Sequence, residues 1–234
     1  MLVMPSLVKP TLLRRLPSDY RSPQAEQIAT AATEAVIGMG ASRVYQRHEG
    51  GLLSRALGTA VHALLEELAR LRETHDWPAA HAALSNLEPR IAAQVRALGV
   101  DQVQAKSLAT DAVKVALNAS NDPIGQWILS PHAEAASEIR WAGVVAGALT
   151  TVRVDRIFRA GLTPTSEGQE AWWIVDYKTA DAEDPAAALP QLRRIFAPQI
   201  ETYAQVLRNL HGADAVIRAG LYYPCMLLLD WWEL

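Results

Sequence analysis

The sequence predicts an α/β protein in which helices pack on a central mixed β-sheet. Two observations support this fold class. The chain up to Pro131 carries Ala-rich segments with apolar residues at helical spacing, whereas the following segments are rich in Val, Ile, Thr and Trp. A long amphipathic segment then separates the last β-forming segment from the others, and this order of elements is typical of layered folds with helices on a sheet.

Composition and charge are those of an ordinary globular protein. The chain has 234 residues, half of them hydrophobic, and a formal net charge of −3. Only four of its 22 basic residues are Lys; this Arg bias suits phosphate binding, but a GC-rich genome would also produce it. The single cysteine, Cys225, excludes a disulfide within the chain and an iron–sulfur cluster held by its cysteines.

Residues 1–50 are expected to form an N-terminal extension or linker, with four prolines before residue 24 and a helix over about 24–37. The proline-rich start favours a fragment of a longer protein. The first ten residues lack the basic and apolar regions of a signal peptide. No apolar run is long enough to span a bilayer, so we expect a cytoplasmic protein without a membrane partner.

Residues 51–234 are expected to form the main domain, beginning with a helix over 54–72. An Ala-rich helical insert over about 78–130 should follow, with helices over 78–98 and 101–120 and a short helix that ends near Leu129.

Four strands are predicted in the second part of the domain. They cover 138–141, 144–158, 172–179 and 216–223, with a hairpin loop over 159–171. A helix over 186–210, interrupted at Pro190 and Pro198, precedes the last strand. Trp172 and Trp173 begin a buried strand, so core packing is a better expectation for them than stacking on bases.

Acidic residues stand at two unusual places in these strands. Asp176 and Lys178 share one strand face at the end of an apolar run, although such a pair also suits a salt bridge at a sheet edge. Asp155 interrupts a β-forming run, where a buried, unpaired carboxylate costs roughly several kcal/mol. A metal would offset that cost, and so would Arg153 or Arg156. If 159–171 makes a hairpin, both carboxylates and the lysine meet at one end of the sheet.

Two helices carry further polar pairs. His62 stands at the edge of an apolar helix face, with Glu66 one turn later, and histidine is a common metal ligand. Such a histidine is more often merely packed. Gln199 and Tyr203 share a face of the late helix, where ordinary surface polarity is the simpler interpretation.

The joint order of these pieces is far more specific than any one of them. G-x-x-x-H on a helix, Asp on a strand, D-x-K on the next strand and Q-x-x-x-Y on a helix resemble the PD-(D/E)XK nuclease superfamily. The pattern is most similar to the RecB-like branch, as in the C-terminal nuclease domains of the RecB and AddA helicase–nucleases. D-R-I-F followed by W-I-V-D-Y-K-T is its most specific part. The resemblance covers roughly residues 52–223 and implies a restriction-endonuclease-like core.

The resemblance also implies roles for individual residues. It assigns a divalent metal, Mg²⁺ or Mn²⁺, to His62, Asp155, Asp176 and the backbone carbonyl of Tyr177. Lys178 would orient or activate the attacking water. The positioning of DNA, or the bracing of the site, would fall to Gln199 and Tyr203.

The chain departs from the pattern at several points. Val152 stands where RecB-like sequences usually carry glycine, and the four cysteines of the Cas4 and AddB nucleases are missing. A phosphate-binding loop of the G-x-x-x-x-G-K-[ST] type does not occur in the sequence, so a helicase motor is expected elsewhere, in a longer chain or a complex.

The implied function is a metal-dependent DNA nuclease, an exonuclease of DNA repair and recombination. Basic residues near the motifs are candidates for DNA contacts: Arg153, Arg156, Arg159, Arg193 and Arg194. Two alternatives stay open. One is an inactive nuclease-like module that binds DNA or a partner. The other is a purely structural helical module, in which Asp155 and Asp176 would lie apart and exposed.

Overall fold

The computed structural model describes residues 51–234, which lie within one compact unit. The helix predicted over 24–37 and the extension over 1–50 lie outside these residues. The elements are, in chain order, α1 Leu52–Arg72, α2 Trp77–Ser85, α3 Glu88–Ala97, α4 Gln102–Asn121, α5 Pro123–Leu129, β1 Ala133–Val145, β2 Ala148–Ala160, β3 Ala171–Tyr177, α6 Pro185–His211, β4 Ile217–Tyr223 and β5 Leu228–Glu233.

One mixed sheet contains all five of these strands, in the order β1-β2-β3-β4-β5. Only β3 and β4 are parallel, because α6 forms the crossover between them. The other neighbouring strands are antiparallel. This architecture confirms the predicted α/β class with helices on a mixed sheet.

The sheet separates two apolar cores. One face packs against α1–α5 and buries Trp173, Val175 and Tyr177, whereas Trp172 and Ile174 belong to the core under α6. This is the alternation that the sequence predicts for β3, and it confirms that both tryptophans are core residues.

The strands differ from the prediction at three points. The segment predicted as one strand over 144–158 is divided by a tight turn at Ala146 and Gly147, whose φ angles are 49° and 81°. Sequence analysis did not predict this turn because alanine rarely adopts a left-handed backbone conformation. The strand β1 begins at Ala133, and β5 was not predicted, because it becomes a strand only by pairing with β4.

Two helices also differ. The predicted 78–98 helix ends at Ser85 and restarts as α3 at Glu88, with a proline in the first turn of the second piece. The expected interruptions at Pro190 and Pro198 are wrong, since α6 runs unbroken through both. Its buried face, which includes Leu192, Ile200 and Leu207, outweighs a proline cost of about 3 kcal/mol each. Within 51–234, no helix is long and apolar enough to cross a membrane.

Candidate active site

A cleft of about 630 Å³ opens at one end of the sheet, between α1 and α6. Helix α1, the β1–β2 hairpin, the end of β3 and helix α6 each contribute to its walls. The predicted site residues that line this single cleft are His62, Arg153, Asp155, Asp176, Lys178, Gln199 and Tyr203. The structure therefore brings together residues that are far apart in the sequence.

The two aspartates lie where β2 and β3 separate. Arg156 and Val175 are the last paired residues, and Asp155 and Asp176 follow one step beyond them. Both side chains are buried, with residue exposures of 8 % and 2 %. Asp155 Oδ2 accepts a hydrogen bond of 2.8 Å from the backbone N–H of Tyr177. The structural-module alternative, which requires separate and exposed carboxylates, is therefore wrong.

The two aspartates are buried and repel each other when both are ionised. Burial and the neighbouring charge of Asp155 raise the pKa of Asp176 to about 6, although the Lys178 ammonium opposes this shift. Burial also acts to raise the pKa of Asp155, but the hydrogen bond and charge of His62 outweigh it and hold that pKa below its ordinary value. A buried pair of carboxylates that repel each other is a place where a cation is stabilising.

His62 joins α1 to this pair. Its Nε2 lies 3.0 Å from the carbonyl oxygen of Tyr177 and its Nδ1 lies 3.5 Å from Asp155 Oδ2. Since a carbonyl only accepts, Nε2 carries the proton, and the Nδ1 of a neutral ring turns its lone pair toward a carboxylate. Only a proton or a cation relieves that arrangement. Burial lowers the pKa of His62, but Asp155 outweighs burial and the pKa is raised.

Glu138 is a site residue that the sequence analysis missed. Ligand atoms of His62, Glu138 and Asp155 all lie within 4.8 Å of one another, a spacing that can hold a metal ion. Glu138 has a φ of 53° inside β1, a left-handed conformation that costs a non-glycine residue about 1–2 kcal/mol. An acidic residue at the start of the predicted 138–141 strand was the available signal.

Lys178 connects the acidic pair to α6. Its Nζ lies 2.5 Å from Asp176 Oδ2 and 3.4 Å from Gln199 Oε1. Gln199 in turn donates from Nε2 to the hydroxyl of Tyr203. The Lys178 ammonium also lies 4.3 Å from the centre of the Phe196 ring. The Q-x-x-x-Y pair therefore meets the lysine of D-x-K.

Arg156 does not reach the cleft, which corrects its prediction as a DNA contact. The side chain is buried, and its guanidinium donates to the carbonyls of Ile128 and Ser130 and to the hydroxyl of Ser137. It fastens the end of α5 to the sheet. Arg156 is the second residue of the D-R-I-F motif, and its place in the motif did not predict the direction of its side chain.

The other predicted arginines divide into one at the cleft and three outside it. Arg153 lines the cleft and forms an ion pair with Glu138. Arg193 pairs with Asp230 of β5 and donates to the Trp231 carbonyl. The remaining two, Arg159 and the exposed Arg194, do not line the cleft either.

The fold and this site together define a class: an α/β protein of the restriction-endonuclease-like type, with acidic residues and a lysine at the end of a mixed sheet. A family model described as the PD-(D/E)XK nuclease superfamily matches residues 39–226, and the chain belongs to that superfamily. Members of the superfamily are generally nucleases that use divalent metals. Among curated proteins, none matches this chain.

Proposed function

We propose that this protein is a divalent-metal-dependent DNA nuclease of the RecB-like branch. The observation that carries the proposal is the meeting of two buried, mutually repelling aspartates with Lys178 and His62 in one cleft. Such a cluster is costly for folding and is explained by metal-assisted phosphodiester hydrolysis.

The side chains in the cleft fit the chemistry of Mg²⁺ or Mn²⁺. His62, Glu138, Asp155 and Asp176 would hold the ion, and a set of carboxylates with one imidazole suits these metals. The carbonyl oxygen of Tyr177 accepts a hydrogen bond from His62 in this structure. Its role as a further ligand of the metal stays a prediction. A bound metal supplies charge for the phosphoryl oxygens and a more acidic water.

Other side chains of the cleft contribute charge stabilisation and positioning. The Lys178 ammonium, fixed between Asp176 and Gln199, stabilises negative charge that develops on the phosphate and favours a deprotonated water. Tyr203 fixes Gln199 by hydrogen bonding, so the pair positions the lysine. Arg153 lies at the cleft wall in an ion pair with Glu138, and a phosphate of DNA would compete with Glu138 for its guanidinium.

The biological setting is part of the same proposal. The resemblance to the RecB-like branch supports an exonuclease of DNA repair and recombination that works with a helicase motor, and the single cysteine suits the reducing cytoplasm. No observation favours the inactive DNA-binding module, because the cleft holds the acidic residues, the lysine and the histidine that cutting requires.

The test is degradation of end-labelled linear DNA with Mg²⁺ or Mn²⁺. The intact protein is compared with Asp176→Ala and Lys178→Ala, and with Asp111→Ala and Lys114→Ala as controls on the exposed side of α4. Metal-dependent cutting should disappear in the first two variants and persist in the controls. Cutting that survives both cleft substitutions would contradict this site. A folded protein that binds DNA and never cuts would favour the inactive module.

A further inference from the structure

The β1–β2 hairpin extends beyond the rest of the sheet. Only the Arg156–Ala160 part of β2 pairs with β3, so residues 148–155 continue as a two-stranded arm with β1. One face of this arm packs on α6: a Cβ at Gly143 would lie 3.2 Å from Val206 Cγ1, and Asn209 Nδ2 donates to the Val144 carbonyl at 2.9 Å. The helix therefore braces an arm that would be marginally stable by itself.

The opposite face of the arm, here called the outer face, is open to solvent. It consists of three cross-strand pairs, in order from the cleft to the tip: Arg140 with Arg153, Ala142 with Thr151, and Val144 with Leu149. All six residues are exposed and alternate with the residues that pack on α6. Thr151 and Arg153 also line the cleft, so the outer face is continuous with it.

The two ends of the outer face differ in chemistry. Beside the cleft, Arg140 stands directly opposite Arg153, and the guanidinium of Arg153 forms an ion pair with Glu138. At the tip, Leu149 is 79 % exposed and Val144 is 60 % exposed, and they form an apolar pair in water. An arginine end next to an aliphatic end suits single-stranded nucleic acid, which offers phosphates on one side and apolar base faces on the other.

We infer that the outer face binds a single strand of DNA that leads into the cleft, with a phosphate on Arg140, a second one competing with Glu138 for Arg153, and unpaired bases on Val144 and Leu149. This inference rests on the proposed function and deepens it, because bases can lie on the tip only when they are unpaired. Leu149 is six residues from Asp155 along β2, or about 20 Å. That length accommodates about six stacked nucleotides.

The experiment measures fluorescence anisotropy of a labelled single-stranded 20-mer in Ca²⁺, over a series of salt concentrations. The double variant Val144→Thr/Leu149→Thr keeps β-forming side chains and removes most of the apolar surface. We expect about five- to tenfold weaker binding with an unchanged salt slope. Arg140→Ala should instead lower the salt slope by about one.

Two controls separate base contact from other effects. Val103→Thr changes an apolar residue of α4 that is 80 % exposed, and its DNA affinity should equal that of the unmodified protein. The unmodified protein should bind an oligonucleotide with abasic sites in its central six positions about five- to tenfold more weakly than the intact oligonucleotide. The double variant should bind the abasic and the intact oligonucleotide with equal affinity, because it has already lost the contact with the bases.

The outcomes distinguish this inference from the proposed function. Normal DNA affinity in the double variant, with or without nuclease activity, overturns the inference. If that variant also loses self-association in sedimentation, the apolar pair is a contact between copies. A protein that binds DNA as expected but never cuts leaves the inference standing and overturns the nuclease function. Absence of DNA binding in the unmodified protein overturns the inference as well.

Discussion

Asp155 and Arg156 are neighbours on β2, and both are charged and buried, yet their surroundings differ completely. The Arg156 guanidinium donates to two backbone carbonyls and one hydroxyl. Asp155 accepts one backbone hydrogen bond but lies beside His62 and a second carboxylate, Asp176. The guanidinium of Arg156 therefore has hydrogen-bond acceptors within the fold, whereas the carboxylate of Asp155 lies next to another negative charge.

This difference distinguishes a buried charged residue that stabilises the fold from a buried charged residue that belongs to a functional site. Acceptors offset the desolvation of Arg156, although burial still lowers the pKa of its guanidinium. At the aspartates the fold adds repulsion to desolvation, and the pKa of Asp176 rises to about 6. Lys178 and His62 offset part of this repulsion, and a bound cation would offset more of it.

The largest expected effect comes from removing the charge of Asp176. Asp176→Asn should reduce metal-dependent DNA cutting by about 10³-fold, because an ion ligand and the partner of Lys178 are lost. In EDTA, the same variant should unfold in urea at the same concentration as the unmodified protein or a higher one, because a buried repulsion disappears. A clear loss of stability would show that Asp176 is a structural residue, like Arg156.

The second effect is on stability. Arg156→Met should lower the free energy of unfolding by about 3 kcal/mol, since it leaves the buried carbonyls of Ile128 and Ser130 without their donor. Urea denaturation followed by circular dichroism measures this. Arg153→Met, at the exposed ion pair with Glu138, should change stability by less than about 1 kcal/mol. Equal losses in the two variants would remove the distinction between them.

The third effect tests whether Glu138 belongs to the metal site. Glu138→Gln should weaken Mn²⁺ binding by about 10- to 100-fold in isothermal titration calorimetry, because one carboxylate of the cluster is neutralised. Glu167→Gln, an exposed residue of the loop between β2 and β3, is the matched control and should bind Mn²⁺ normally. Unchanged affinity in Glu138→Gln would make Glu138 only the partner of Arg153.

The smallest effect concerns the positioning of Lys178. Gln199→Ala should lower the cutting rate by about tenfold, because the ammonium loses its contact on α6 but keeps Asp176. Mn²⁺ affinity should stay within about twofold, since Gln199 is not among the expected ligands. A large fall in metal affinity would instead place Gln199 in direct contact with the ion.

Local patterns predicted much of the fold and most of the candidate site. The alternation along β3 correctly divided Trp172 from Trp173 and placed Asp176 on the strand face of Lys178. Helical spacing correctly identified α1. These predictions succeeded because alternation and helical periodicity are properties of the backbone itself.

Local sequence patterns did not predict the pairing of strands or the direction of side chains. The strand β5 exists because β4 offers it a partner, and α6 continues through Pro190 because packing outweighs the proline. Glu138 gives no periodic signal, and it becomes a candidate ligand only where β1, β2 and α1 meet.

By itself, the sequence determined the α/β class and the membership in the superfamily, and it predicted His62, Asp155, Asp176 and Lys178 as site residues, because residue types, periodicity and the order of motifs can be recognised along the chain. Tertiary structure alone decided that these residues share one cleft, that Arg156 fastens the fold and that Glu138 joins the acidic cluster. The physical reason is that burial and charge proximity arise between elements distant in the chain, and these set the pKa values and the demand for a cation.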